Sequence, residues 1–170
     1  MNKILIIDDE IDITESISAI LSDEGFECTK AINPNDAINF IENNIYDLII
    51  LDVWLNDANY DGIKLLKLIK KKNIKAPIVI ISGHGNIDMA VEAIKEGAYE
   101  FVEKPFKSER LTLSVSRALE VKLIRDENKK LKEINFDKNQ LIGSSPNTLK
   151  IREIISKIAH TSSRVLITGE

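Results

Sequence analysis

Four short apolar runs in this 170-residue chain end on residues able to do polar chemistry. Ile4–Ile7 runs into Asp8, Asp9 and Glu10. The string "DLIIL" is followed by Asp52. "IVIIS" ends on Ser82, before Gly83. "YEFVE" ends on Glu103, before Lys104 and Pro105. Taken singly, each has an ordinary explanation. An acidic pair after a strand often caps the next helix, a role open to Asp9 or Glu10. A lone Asp or a Ser-Gly pair suits a turn, and Lys-Pro suits a surface break. Taken together they describe a site. Clustered carboxylates do not all stay ionised without a cation nearby. A hard ion with oxygen ligands is the natural partner, and Mg²⁺ usually takes one or two carboxylates plus waters and a phosphate. The Lys and Ser make sense if an anion joins the metal. A phosphoryl group fits: a carboxylate oxygen attacks in line while the metal and Lys104 neutralise the equatorial oxygens.

The elements that must position these groups follow from the hydrophobic pattern. Strand candidates are Ile4–Ile7, Phe26–Lys30, Asp47–Leu51, Ile78–Ser82 and Tyr99–Glu103. Helical spacing of apolar residues predicts helices over Ile11–Ser22, from Asn33-Pro34 onward, over Asp61–Lys72, over Ile87–Glu96 and from about Glu109. Strands that are apolar throughout, rather than at alternate positions, are covered on both faces. Five such β-α units predict a doubly wound, five-stranded parallel α/β sheet of about 120 residues. In sheets of this class the ligand site lies outside the carboxyl ends of the strands. Asp8, Asp52, Ser82 and Lys104 stand at or just beyond those ends.

The chain divides into three expected segments: residues 1–120 as this domain, 109–140 as a helical linker, and 141–170 as a further fragment. Along the linker, Val121, Ile124, Asn128 and Leu131 step by three, four and three, a short heptad seam that would suit a dimeric coiled coil. A polar break is expected at Asn135–Gln140. An amphipathic helix with a Ser-Pro start follows, then a strand at Val165–Thr168. The composition is that of a soluble globular protein, with 44% apolar and 29% charged residues. A net charge of −4 gives no reason to expect nucleic-acid binding. Cys28 is the single cysteine, so no internal disulfide forms, in keeping with a reducing cytoplasm. No signal-peptide pattern and no membrane-length apolar run occurs.

The strings "IIDDE", "LIILD", "IVIISG" and "FVEKPF" together resemble the signature set of two-component response-regulator receiver domains, over roughly residues 1–120. The resemblance implies a flavodoxin-like sheet of order 2-1-3-4-5. It implies that Asp52 is the phospho-accepting residue. Asp9 would be a direct Mg²⁺ ligand, Asp8 would hold the metal through water, and the backbone carbonyl of Trp54 would be a third protein ligand. Lys104 would pair with the phosphate across a cis bond to Pro105. Ser82 would close on the phosphoryl group, and Phe101 would turn inward on activation. The implied phosphodonor is a sensor histidine kinase. The implied homodimer uses the fourth helix, fifth strand and fifth helix together with the linker.

The segment "DVWLNDANYDG" is two residues longer than the usual family loop. With "LIGSSPNTLKIREIISKIAHTSSRVLITGE" it resembles the NtrX branch of the NtrC-type regulators. In those proteins a receiver precedes an AAA+ ATPase that contacts σ54 RNA polymerase, and then a DNA-binding domain. The closing "LITGE" resembles the approach to a Walker A loop. That loop requires GxxxxGK[ST], of which only Gly169 is present, so no ATP hydrolysis is expected of these residues. Two other readings compete. A haloacid-dehalogenase-type phosphatase would want a second Asp two residues after Asp52, where Trp54 stands. A stand-alone phosphorelay or interaction module would use the same acceptor without DNA output.

Overall fold

The computed structural model describes residues 1–55, 61–83, 87–138, 143–161 and 164–166, with the backbone only over 133–138. The chain forms two units, Met1–Asp126 and Glu127–Glu170. The first contains strands β1 (Lys3–Ile7), β2 (Glu27–Ala31), β3 (Leu48–Asp52), β4 (Ile78–Ser82) and β5 (Glu100–Glu103). Between and after them come helices α1 (Ile11–Asp23), α2 (Pro34–Asn43), α3 (Gly62–Lys71), α4 (Ile87–Lys95) and α5 (Ser108–Lys138). The sheet is parallel, with order β2-β1-β3-β4-β5. This is the expected architecture.

Alternation along each strand builds two cores. Leu5, Ile7, Ile49, Leu51, Ile78 and Ile80 face one way, against Ala37 of α2, Leu65, Leu66 and Ile69 of α3, and Ala93 of α4. Ile4, Ile6, Leu48, Ile50, Val79 and Ile81 face the other, against Ile17 and Leu21 of α1 and Leu111, Val115 and Ala118 of α5. Because helices cover both faces, β3 and β4 are buried at every position.

Local chemistry sets the helix starts. Asn33 Oδ1 accepts the Asp36 N–H at 2.8 Å, with Pro34 in the first turn of α2. Asp61 Oδ1 accepts the Lys64 N–H at 2.7 Å at the start of α3. Gly62 follows for a steric reason: a Cβ there would lie 2.1 Å from the Asp52 carbonyl oxygen. The absent side chain lets α3 begin directly against the end of β3, where the Gly62 N–H donates to the Val53 carbonyl at 2.8 Å.

The second unit holds the end of α5 and helix α6 (Pro146–Ile158), whose Ser145 cap accepts the Thr148 N–H at 3.2 Å. Two expectations need correction. The break expected from Asn135 begins later, because α5 continues to Lys138. No Gly or Pro occurs in that stretch, and Asn and Asp inside a helix cost too little to stop it. Arg164, Val165 and Leu166 are not in a strand. An apolar run becomes a strand only when another edge pairs with it, and the described sheet pairs only β1 to β5. Ile167–Gly169 and the loop Asn56–Tyr60 lie outside the described residues.

Candidate functional site

The carboxyl ends of β1, β3 and β4 and the turn after β5 meet at one edge of the sheet. Register places Asp52 opposite Ile81 and Ser82 opposite Glu103. The Lys104 N–H donates to the Ser82 carbonyl at 2.7 Å, which holds the turn after β5 against β4. The Lys104–Pro105 peptide bond is cis, as expected.

The Lys104 side chain runs back across the strand ends. Its ammonium lies 2.7 Å from Asp8 Oδ2 and 3.4 Å from Asp52 Oδ2. Asp8 is fully buried, and its Oδ1 accepts the Glu10 N–H at 2.9 Å. Asp52 is 3% exposed, and its Oδ1 is buried with no hydrogen-bond partner. Such an atom carries a desolvation cost that a bound ligand can relieve. Burial, reinforced by the neighbouring charge of Asp8, pushes the Asp52 carboxyl up to about 6 against the pull of Lys104. Lys104 is shifted the other way from what its burial alone would do. Burial disfavours its charge, but the bonds and charges of Asp8 and Asp52 outweigh this and raise its pKa.

Carboxylate oxygens of Asp8, Glu10 and Asp52 all lie within 4.8 Å of one another. Glu10 and Asp52 also border an open cavity of about 410 Å³, lined with them by Asp9, Trp54, Leu55, Gly83 and Lys104. An all-oxygen donor set with one unpartnered buried oxygen suits a hard divalent cation. Asp8, Asp9, Asp52 and Lys104 are therefore brought together as the sequence suggested, with Asp9 on the cavity wall. Glu10 joins them, although its place in the sequence suggested no ligand role within the acidic run after β1. The sequence offered it as a helix cap, yet its side chain makes no cap hydrogen bond at the start of α1. The signal available was the third acid in Asp8-Asp9-Glu10.

Ser82 is buried at the tip of β4. Trp54 is 54% exposed, with its ring free of the core. Phe101 is half-buried against one core, and it lines a separate surface cavity of about 680 Å³ with Ile87 and Ala90 of α4 and Arg110 of α5. His84, two residues after Ser82 in sequence, lies outside the described residues.

A five-stranded parallel sheet with a Lys-bridged pair of aspartates at its carboxyl edge agrees with the family comparison. Residues 4–116 match the response regulator receiver domain. The chain belongs to this family. An NtrX-like response regulator of Rickettsia bellii is 44% identical over 98% of this chain, which spans 35% of that relative's length. The crystal structure of the receiver domain of NtrX from Brucella abortus is 50% identical, with a TM-score of 0.66 over 69% of this chain and 98% of that one. The solution structure of the beryllofluoride-activated NtrC4 receiver domain dimer is 41% identical, with a TM-score of 0.67 over 72% of this chain and 99% of that one. The receiver thus occupies most of the first unit, and this chain is about a third as long as the curated relative. No helix among the described residues is long and apolar enough to cross a membrane.

Proposed function

We propose that this receiver takes a phosphoryl group on Asp52 from the phosphohistidine of a sensor histidine kinase and works as a phosphorylation-controlled switch. The observation that carries the reading is the buried, unpartnered Oδ1 of Asp52 at a strand tip beside Lys104. An Asp52 carboxylate oxygen attacks phosphorus and forms the P–O bond of an acyl phosphate. The P–N bond to the imidazole breaks, and the histidine nitrogen keeps the electron pair. Lys104 remains protonated and pairs with the phosphoryl oxygens. Asp8, Asp9, Asp52 and the Trp54 carbonyl would hold Mg²⁺, which when bound supplies charge neutralisation at the transferring group.

The acyl phosphate adds about two negative charges to an already acidic edge. The Ser82 hydroxyl turns toward it, and Phe101 moves into the space vacated. The surface formed by α4, β5 and α5 then changes shape and favours a homodimer, continued along the linker seam of Val121, Ile124, Asn128 and Leu131. In a longer protein of the NtrC type, that dimer would control an AAA+ domain, σ54-dependent transcription and DNA binding in the cytoplasm. The described residues would supply the input alone, without ATP hydrolysis. In that organisation residues 1–120 are the receiver, 109–140 the linker and 141–170 the start of the ATPase domain.

The test is incubation with a small-molecule phosphodonor and Mg²⁺, followed by intact-mass measurement. The wild-type chain gains one phosphate and Asp52→Asn gains none. Phosphate uptake by Asp52→Asn equal to the wild type would show that the acceptor lies elsewhere.

A further inference from the structure

Helix α5 changes character where it leaves the sheet. Leu111, Val115 and Ala118 are fully buried and step by four and three. The same spacing continues to Lys122 and Arg125, so the face that packs on the core runs out of apolar residues while the helix continues. Leu123 and Ile124 beside them are 60% and 56% exposed. Two cavities of about 370 Å³ each lie at this end of the receiver, and Lys122 and Asp126 line both. Ile41, Tyr46 and Ile74 wall one of them, and Asn2 and Leu119 the other. Lys122 reaches Asp47 Oδ1 at 2.5 Å, the one ion pair that joins residues 119–126 to the rest of the receiver among the described residues. Asp47 is fixed in place by Lys3: its N–H donates to the Lys3 carbonyl at 2.7 Å, and its Oδ2 accepts the Lys3 N–H at 2.8 Å. A neighbouring interaction opposes this pair. The stem of Lys70, in the last turn of α3, runs past Gly97, where an added Cβ would lie 3.2 Å from its Cε. Burial, and after it the like charge of Arg125, hold the Lys70 ammonium below its ordinary pKa. This stretch of α5 therefore rests on one attraction beside one repulsion, with unfilled space around it.

We propose that residues 119–126 form a releasable seat for the linker helix: the Lys122–Asp47 pair latches them to the base of the sheet, and they open together while the rest of the receiver stays folded. Segments that open locally are those with few buried apolar contacts. A single partly buried ion pair contributes little, so the closed and open forms lie close in free energy and a small bias shifts their balance. With 3.6 residues per turn, Lys122 and Asp126 face the base, and Val121 and Ile124 leave the helix on roughly the opposite side. A closed seat holds that outer face in one direction, and an open seat releases it. The seat goes beyond the phosphorylation reading and does not depend on Asp52 being the acceptor.

The experiment is native-state amide hydrogen exchange of the 170-residue chain, read by mass spectrometry on peptides from 108–118 and 119–126, in urea below the unfolding transition. In the wild type, 119–126 should be protected, exchange faster than 108–118 and respond little to urea. Exchange in 108–118 should rise steeply with urea. Equal urea dependence in the two peptides would overturn the proposal, because both would then open only by global unfolding. Exchange in 119–126 at the rate of an unfolded peptide would overturn it as well. Lys122→Met keeps the aliphatic stem and removes the charge, and Asp47→Asn keeps an acceptor for the Lys3 N–H. Each should speed exchange in 119–126 about fivefold, and the double variant should be no faster than either single one. A change of less than about twofold in either variant, or a double variant that multiplies the two effects, would assign the protection to something other than this pair and overturn the latch.

Discussion

The units Met1–Asp126 and Glu127–Glu170 both carry helices with apolar residues at helical spacing, and those residues have opposite fates. In the first, Ile17 and Leu21 of α1 and Leu65, Leu66 and Ile69 of α3 are fully buried against the sheet. In the second, Leu131 of α5 and Leu149, Ile151, Ile154 and Ile155 of α6 remain between 47% and 60% exposed. Helical periodicity shows which face will seek cover, but cover requires a second layer. The receiver unit builds that layer from five strands distant in sequence. The second unit offers no such surface among its described residues. A helix can therefore be read from local spacing, whereas a core is a long-range property.

Large-to-small substitutions test the contrast most sharply. Ile80→Ala, in the middle of β4, should lower unfolding stability by about 2–5 kcal/mol in urea melts. Ile154→Ala in α6 should change it by less than about 0.5 kcal/mol. Equal losses would show that α6 is buried against something in solution, and the contrast would be broken.

Gly62→Ala comes next. Its Cβ would collide with the Asp52 carbonyl oxygen, so either α3 or the tip of β3 must move. A loss of about 1–3 kcal/mol is expected, with reduced phosphate uptake on Asp52 because the collision is at the backbone of the proposed acceptor. Unchanged stability would mean that the start of α3 adapts freely.

The third test is pH dependence at Asp52. Its carboxyl is raised in the folded state to about 6 from an ordinary 3.8. The folded protein therefore binds that proton more tightly than the unfolded chain does. The contribution to stability is full below about 3.8 and is lost as pH rises through about 6. Asp52→Asn, which never ionises, should be more stable than wild type by up to about 3 kcal/mol at neutral pH without metal. The advantage should shrink as pH falls from 6 toward 4, and also when Mg²⁺ is added. Parallel stability curves across that range would refute the burial argument.

The smallest expected effect is at the base of α5, where the receiver unit anchors this helix. Lys122 pairs with Asp47 Oδ1 at 2.5 Å, and Asp47 Oδ2 accepts the Lys3 N–H at 2.8 Å. Burial acts to raise the Asp47 carboxyl, but these bonds dominate and hold it below its ordinary range. Its contribution is present above the unfolded value of 3.8 and is lost as pH falls through the depressed one. Lys122→Ala should cost about 1 kcal/mol at neutral pH and less in acid. A cost that did not vary with pH would assign the role of Lys122 to packing of its aliphatic stem.

Much of the receiver was legible because its rules are local. Continuous apolar runs such as Ile78–Ile81 marked buried parallel strands, and Asn33-Pro34 and Asp61-Gly62 marked helix starts. A parallel sheet gathers its carboxyl ends on one edge, so their positions in the sequence alone bring Asp8, Asp52, Ser82 and Lys104 together. Legibility failed where the result depended on a partner. Val165 and Leu166 have strand composition but are not in a strand. The helix at Asn135–Lys138 persists where polarity suggested a break, because polarity alone does not interrupt backbone hydrogen bonding.

The sequence by itself determined the alternation of strands and helices, the aspartate at the end of β3 and the lysine that faces it. These follow from periodicity and from the rule that a parallel sheet gathers its functional groups at one end. Only the tertiary structure decided how the acids divide their roles. It committed both oxygens of Asp8, left Oδ1 of Asp52 buried and unpartnered, and brought Glu10 over the cavity. Three adjacent acids are nearly equivalent as letters. They become different groups when the turn after β1 sends each side chain to a different depth, and burial and the reach of Lys104 set what each can bind.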